Sequence, residues 1–273
     1  MTTNRTTLSV LAACAVLAIT LAGAATAEEL VIPISQPDQP VHLSLSATFG
    51  TVTVEGYDGR EVRVEATADP DEEPTRAKKE APPGMRRIPN NSFGLTAEEE
   101  NNRVTVHLGG FQPQQLHVLV PRATSLTLAT VNGGELTVRG VRGEHELSNV
   151  NGGIRAENVS GTVVAQTTNG GVVVTFDHAD PGKAMSFATL NGNVEVTFPA
   201  DFGADLSMQT TNGEIFTDFE FTPGKNAPEV RQNREGGRYR VEVKREVTGS
   251  INGGGGEIRL TTFNGDILMH KGG

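Results

Sequence analysis

The dipeptide Asn-Gly recurs at Asn132-Gly133, Asn151-Gly152, Asn169-Gly170, Asn191-Gly192, Asn212-Gly213, Asn252-Gly253 and Asn264-Gly265. The intervals are 19, 18, 22, 21, 40 and 12 residues. The period is therefore near 20, and one repeat between Asn212 and Asn252 lacks its Asn-Gly, with Gly236-Gly237 as a candidate for that corner. Such a period is the signature of a solenoid, a propeller or a repetitive sheet. The flanks repeat as well. Two residues before the asparagines stand Thr130, Asn149, Thr167, Thr189, Thr210, Ser250 and Thr262. Shortly after the glycines come apolar residues two apart, among them Leu136/Val138, Val172/Val174, Val194/Val196 and Ile267/Met269. That alternation marks half-buried strands, so each repeat reads as two short strands with two corners.

Two all-β architectures fit. Asn-Gly suits a two-residue hairpin, because both positions tolerate positive φ; that gives an antiparallel meander or sandwich. The other is a β-solenoid, a β-helix-like stack in which equivalent residues of successive repeats lie about 4.8 Å apart. Like residues then form ladders, and asparagines can hydrogen-bond along the stack. The recurrence of the same residue at equivalent positions favours the solenoid. The expected structural ladder is Asn132, Asn151, Asn169, Asn191, Asn212, Asn252 and Asn264.

Strand parity places Met185, Phe187 and Thr189 on one face, and likewise Leu206, Met208 and Thr210. The repeated Thr is thus inward, where its hydroxyl needs a partner that a neighbouring repeat can supply. The Ser250 repeat breaks this parity. The residues just before each Asn face the other way: Val131, Val150, Thr168, Leu190, Thr211, Ile251 and Phe263. Aligned by stacking, they form a partly apolar stripe, and exposed apolar patches mark contacts. The candidate interaction stripe is Val131, Val150, Leu190, Ile251 and Phe263.

Three stretches resemble a bacterial family of exported β-strand-repeat domains, the putative adhesins. They are Leu116-His117-Val118-Leu119-Val120-Pro121 with Leu126 to Gly133, the closing Ser250 to Gly254 with Ile258 to Gly265, and Phe49-Gly50-Thr51-Val52-Thr53-Val54-Glu55-Gly56-Tyr57-Asp58. The resemblance spans most of residues 41–273. It implies a β-helix-like fold and an envelope or extracellular location, and it implies no catalytic residues.

The N-terminal region reads as an address. Residues 1–27 hold one charge, Arg5, then an apolar run, then Ala25-Thr26-Ala27 before Glu28-Glu29, the layout of a cleaved signal peptide. Leu11-Ala12-Ala13-Cys14 has the form of a lipoprotein box, so lipidation of Cys14 is the alternative. If Cys14 leaves with the signal, thiol chemistry leaves too. Residues 28–68 read as an N-terminal β segment capping the repeat domain, whose other end shows no evident cap. Residues 69–103, with five prolines, eight acidic and six basic groups, read as a flexible insertion. The repeat domain spans 104–273, with a basic insertion at 222–248 in which Tyr239, Val241 and Val243 alternate with charged residues.

Loss of Arg5 moves the net charge from −10 to −11, which opposes binding to nucleic acid or anionic membranes. No later segment is apolar enough to span a bilayer as a helix. The chain has no Gly-x-Ser-x-Gly elbow and no phosphate-binding loop. Gly143-Glu144-His145-Glu146-Leu147 starts like a zincin motif, but Asn149 stands where the second His would be. Asp177, His178 and Asp180 could meet a cation, and a surface turn before Pro181 explains them equally well. No catalytic, cofactor or metal residue is expected. The expectation is a secreted or periplasmic, non-enzymatic, adhesin-like module that contacts a protein or glycan of the envelope or self-associates. A polysaccharide-active β-helix enzyme and an envelope-stress signalling partner are the alternatives. With no Trp and two Tyr, aromatic sugar platforms are scarce.

Overall fold

The computed structural model describes residues 27–68, 94–108, 114–224, 230–235, 238–243 and 246–273. Every regular element among them is a β-strand. They are β1 (Glu28–Pro33), β2 (Val41–Phe49), β3 (Thr51–Tyr57), β4 (Glu61–Ala68), β5 (Leu95–Glu100), β6 (Arg103–Leu108), β7 (Gln114–Pro121) and β8 (Thr124–Asn132). Next come β9 (Leu136–Arg139), β10 (Arg142–Ser148), β11 (Ile154–Asn169), β12 (Val172–Ala179), β13 (Met185–Asn191), β14 (Val194–Phe198), β15 (Ala204–Asn212) and β16 (Ile215–Thr217). The last are β17 (Phe221–Pro223), β18 (Val230–Glu235), β19 (Arg238–Val243), β20 (Glu246–Ile251), β21 (Gly256–Asn264) and β22 (Ile267–Lys271).

Twenty strands form one nearly closed sheet of mixed pairing, and β18 with β19 forms a separate antiparallel ribbon. The large sheet has two sides. One runs β5-β6-β2-β8-β10-β11-β13-β21-β15-β20-β17 and is parallel from β6 to β15. The other runs β1-β4-β7-β3-β9-β11-β12-β14-β22-β16 and is parallel from β7 to β16. The 16-residue strand β11 serves both: Ile154–Glu157 pair with β9 and Val164–Asn169 with β13. Strands β8 and β9, on either side of Asn132-Gly133, pair with β10 and β11 respectively.

The core lies between the two sides. Alternate residues are buried, as in β13 (Met185, Phe187, Thr189) and β14 (Val194, Val196, Phe198). Phe187 from the first side meets Phe198 from the second edge-on at 6.3 Å, and Phe198 stacks between Phe176 at 5.1 Å and Phe202 at 4.6 Å. Such aromatic clusters add to area burial and tie the two sides together.

The spatial order departs from the chain order at one place. Strands β21 and β22 lie between β13/β14 and β15/β16, so a repeat from the far end of the sequence is wedged into the interior of both sides. Strand β20 runs antiparallel to β15, with β17 beyond it. The 40-residue interval between Asn212 and Asn252 is therefore filled by β16, β17, the β18–β19 ribbon and β20, while Gly236-Gly237 lies outside the described residues.

The segment 28–68 contributes both parallel strands, β2 and β3, and outer antiparallel ones, β1 and β4. The expected signal peptide and Cys14 lie outside the described residues, Ala27 apart. The expected flexible insertion 69–103 is corrected at its C-terminal end: Leu95–Glu100 is a strand. Leu95 and Ala97 pack against the core, while Thr96, Glu98 and Glu100 face water. Asn101 and Asn102, at φ 52° and 62°, make the tight turn into β6. Buried Asn102 anchors it, donating from Nδ2 to the Gln36 carbonyl at 2.7 Å and accepting the Gln36 N–H at 2.8 Å. The acidic run Glu98-Glu99-Glu100 reads as loop because charge hides the alternation.

Candidate functional site: the Asn-Gly corner and its outer row

The corner is built by three residues of the Thr-x-Asn-Gly unit, each with its own work. The inward Thr is buried, and at four of the repeats it donates its hydroxyl to a glycine carbonyl one strand away, whereas the buried Thr130 hydroxyl has no such partner. Thr167 donates to Gly152 at 2.8 Å, Thr189 to Gly170 at 2.7 Å, Thr262 to Gly192 at 2.9 Å and Thr210 to Gly265 at 2.8 Å. The glycine must be glycine because the next strand passes directly over that carbonyl: a Cβ at Gly213 would overlap the carbonyl of Gly265. Close stacking, rather than a two-residue hairpin, therefore explains Gly133, Gly152, Gly170, Gly192, Gly213 and Gly265, while Gly253 has open space around it and sits at φ 88°. At the β10 position Asn149 replaces Thr and bridges the carbonyls of Gly134 and Gly153 at 3.2 and 3.1 Å.

The outward asparagines form one directional row. Asn151 Nδ2 donates to Asn132 Oδ1 at 2.8 Å, Asn169 to Asn151 at 2.8 Å, Asn191 to Asn169 at 2.9 Å, Asn264 to Asn191 at 2.7 Å and Asn212 to Asn264 at 2.8 Å. Asn264 thus stands between Asn191 and Asn212, following the wedged position of β21.

Asn252 is a correction: it does not join this row. Strand β20 runs antiparallel to β15, which carries its Asn-Gly to the opposite end of the strands. There Asn252 adopts φ 47° and donates to the carbonyls of Ala200 and Phe202, both at 2.9 Å. The same reversal removes Ile251 from the stripe, since its side chain is 1% exposed and part of the core.

The other stripe residues do lie in line. Register aligns Val131, Val150, Thr168, Leu190, Phe263 and Thr211 on consecutive strands beside the asparagine row. Val131, Val150, Leu190 and Phe263 are 40%, 37%, 46% and 47% exposed. The row carries no charge. Across the molecule, the outer surface of the other side is the opposite in character. Arg155 contacts Glu135 at 2.9 Å, and Arg139 contacts Glu157 at 2.8 Å and Glu55 at 3.3 Å. His117 meets Glu55 at 3.2 Å. Partial burial works against the Glu55 carboxylate, but hydrogen bonds from His117 and Arg139 prevail and hold its pKa below the usual range. These half-exposed pairs add little stability; their effect is to make one side charged and the other neutral.

The corner at the opposite end of the strands holds a shallow cleft. Ser125, Arg142, Glu144, Ser160, His178 and Asp180 contribute to its wall. Arg142, Ser160 and His178 stand side by side in register. Among the described residues no hydrogen bond joins Ser160 to His178. No three His, Asp or Glu side chains converge as a metal site among the described residues. In the zincin-like stretch, His145 points into the core while Glu144 and Glu146 face water. The inward His is the residue that motif reading misses.

No family model matches the sequence, and no curated protein is significantly similar to it. The fold is similar to that of a crystal structure of a putative cell adhesion protein from Clostridium sporogenes. That likeness has a TM-score of 0.51 at 10% identity and covers 90% of this chain and 100% of the other.

Proposed function

We propose that this chain is an exported, non-enzymatic, adhesin-like contact module of the cell envelope, and that its two sets of parallel strands are the coils of a β-solenoid. The observation that carries the reading is the uncharged row Val131, Val150, Leu190 and Phe263, held open to solvent beside the asparagine row. Exposed apolar rows on a chain of net charge −10 favour contact with another surface over solvation. The recurring polar groups support it too. The hydroxyls of Thr167, Thr189, Thr210 and Thr262 are engaged by glycine carbonyls and the six asparagines of the row by one another, which favours a scaffold role over receiving a substrate. The parallel register with Asn over Asn supports the solenoid. The similarity to a putative cell adhesion protein agrees with adhesion, since the whole of that chain is covered.

The test is binding of the labelled protein to intact cells and isolated envelopes, beside turnover assays on a panel of envelope polysaccharides. Binding that is lost in the folded variants Val150→Asp and Leu190→Asp, without turnover, is the expected result. Product release abolished by substituting Glu144 or Asp180 would replace this reading with an enzymatic one.

A further inference from the structure

The neutral row at the corner is the edge of a wider neutral face. Two more outward rows run beside it on the same strands. In register they are Thr127, Glu146, Val164, Ser186, Arg259 and Ser207, then Ala129, Ser148, Gln166, Ala188, Thr261 and Gln209. Across β8, β10, β11, β13, β21 and β15, the three rows contain two charged residues, Glu146 and Arg259. Strand β2 extends the face with Ser44, Ser46 and Thr48. On the far side β20 extends it with Thr248 and Glu246, whose carboxylate already accepts the Ser207 hydroxyl at 2.7 Å.

We infer that this face is a two-fold self-association surface whose occupant is a second copy of the chain. The inference rests on the contact-module reading and names its partner. Consider two such faces packed together about a two-fold axis that lies between them, parallel to the strands, midway between β11 and β13. The axis keeps each row over its own row and reverses the order of strands. Glu146 on β10 then lies opposite Arg259 on β21 of the other copy, and the contact occurs twice. Val150 falls on Phe263, Thr168 on Leu190, and Ala129 on Gln209. The two charges of the six central strands are thus set against each other, while Glu246 on the outer strand β20 falls opposite Ser46 of the other copy, with the Ser207 hydroxyl as its partner. Within one chain they are three strands apart, roughly 14 Å at the usual strand spacing, and Arg259 is paired with its exposed neighbour Glu257 at 2.9 Å, with the Glu246 carboxylate also favouring its charge.

The size is adequate. Three rows two residues apart span roughly 20 Å, and eight strands from β2 to β20 span roughly 38 Å. That gives about 770 Å² per copy and about 1,500 Å² in all, against the roughly 1,200–2,000 Å² typical of specific interfaces. Small side chains over most of the face allow the close sheet-on-sheet packing that aligned sheets adopt.

The experiment is sedimentation velocity and light scattering on the purified protein over a micromolar concentration series. The wild type is expected to be a dimer. Glu146→Arg and Arg259→Glu should each weaken it by about a hundredfold, a factor of about ten for each of the two symmetry-related contacts. The double variant should restore the dimer. Mixing the two single variants should also produce a dimer, because each then meets its opposite charge, and this arm uses only chains already shown to be folded by circular dichroism. A wild type that stays monomeric, or single reversals without effect, would overturn the inference. If the wild type is monomeric but Val150→Asp and Leu190→Asp still abolish envelope binding, the contact-module reading stands without a second copy. If they bind like wild type, both fall.

Discussion

His145 gives the most quantitative handle on this fold. Its ring is 3% exposed and occupies an inward position between Leu126 and Val163 of the flanking strands. Burial pushes its pKa from 6.5 down to about 4. The backbone at Val141 and Ser160 lies close enough to favour the charged ring slightly, yet neither ring nitrogen has a hydrogen-bond partner of normal geometry. The folded state therefore holds the neutral ring, and the unfolded chain binds the proton more readily. Stability linked to His145 is fully present above about pH 6.5 and is lost as the pH falls toward 4. Each pKa unit corresponds to about 1.4 kcal/mol, so the loss is about 2 kcal/mol at pH 5 and about 3 kcal/mol at pH 4 and below. The assay is urea unfolding of wild type and His145→Leu at pH 7.5, 5 and 4. The leucine variant should lack that component of the acid sensitivity, so the difference between the two proteins should grow by about 2 kcal/mol from pH 7.5 to pH 5. Parallel pH profiles for the two proteins would refute the argument.

Four further outcomes follow from the core and the corner. Thr189→Val keeps the shape but leaves the Gly170 carbonyl unpaired, and should cost about 1–2 kcal/mol in urea unfolding. Gly213→Ala should cost more than Gly253→Ala, because the first Cβ overlaps the Gly265 carbonyl whereas Gly253, at φ 88°, has open space and only backbone strain of about 1 kcal/mol. Phe198→Ala opens the aromatic cluster between the two sides and should cost about 3–5 kcal/mol, read as a drop in the unfolding midpoint. Asn252→Ala loses two hydrogen bonds to backbone carbonyls and leaves φ 47° unfavourable, so it should destabilise by about 1–2 kcal/mol, while Asn252→Gly recovers the backbone part.

Much of this architecture was legible in the period and parity of the residues. Strand alternation placed Met185, Phe187 and Thr189 on one face, and those side chains are buried. What escaped was long-range order. A repeating pattern gives no reason for Asn264 to bond Asn191 and Asn212 rather than an Asn252 that precedes it by 12 residues. The broken parity at Ser250 and the 40-residue gap before Asn252 were the available signals. The broken parity goes with β20 running against its neighbour, a direction that parity alone does not state, and the gap is filled by β16, β17 and the β18–β19 ribbon before β20. The neutral outer face also escaped, because its small residues, such as Ser186 and Ala188 around Phe187, carry no motif. It emerges only when strands from distant segments are set in register.

The wedged position of β21 and β22 has a consequence for how the molecule is assembled. Residues 204–217 are synthesised some fifty residues before 256–271, yet the two earlier strands touch their parallel neighbours only through the later pair. Until residues 256–271 arrive, β13 and β14 present open parallel edges, which template wrong pairing, and β15 and β16 have no parallel partner to dock on. A chain emerging from its N-terminus can zip from β6 as far as β14 and must then wait. The final closure joins segments about seventy residues apart, a non-local pairing of the kind that slows folding. The molecule thus carries its own proof of completeness: loss of residues 256–271 splits it within its body instead of trimming one end.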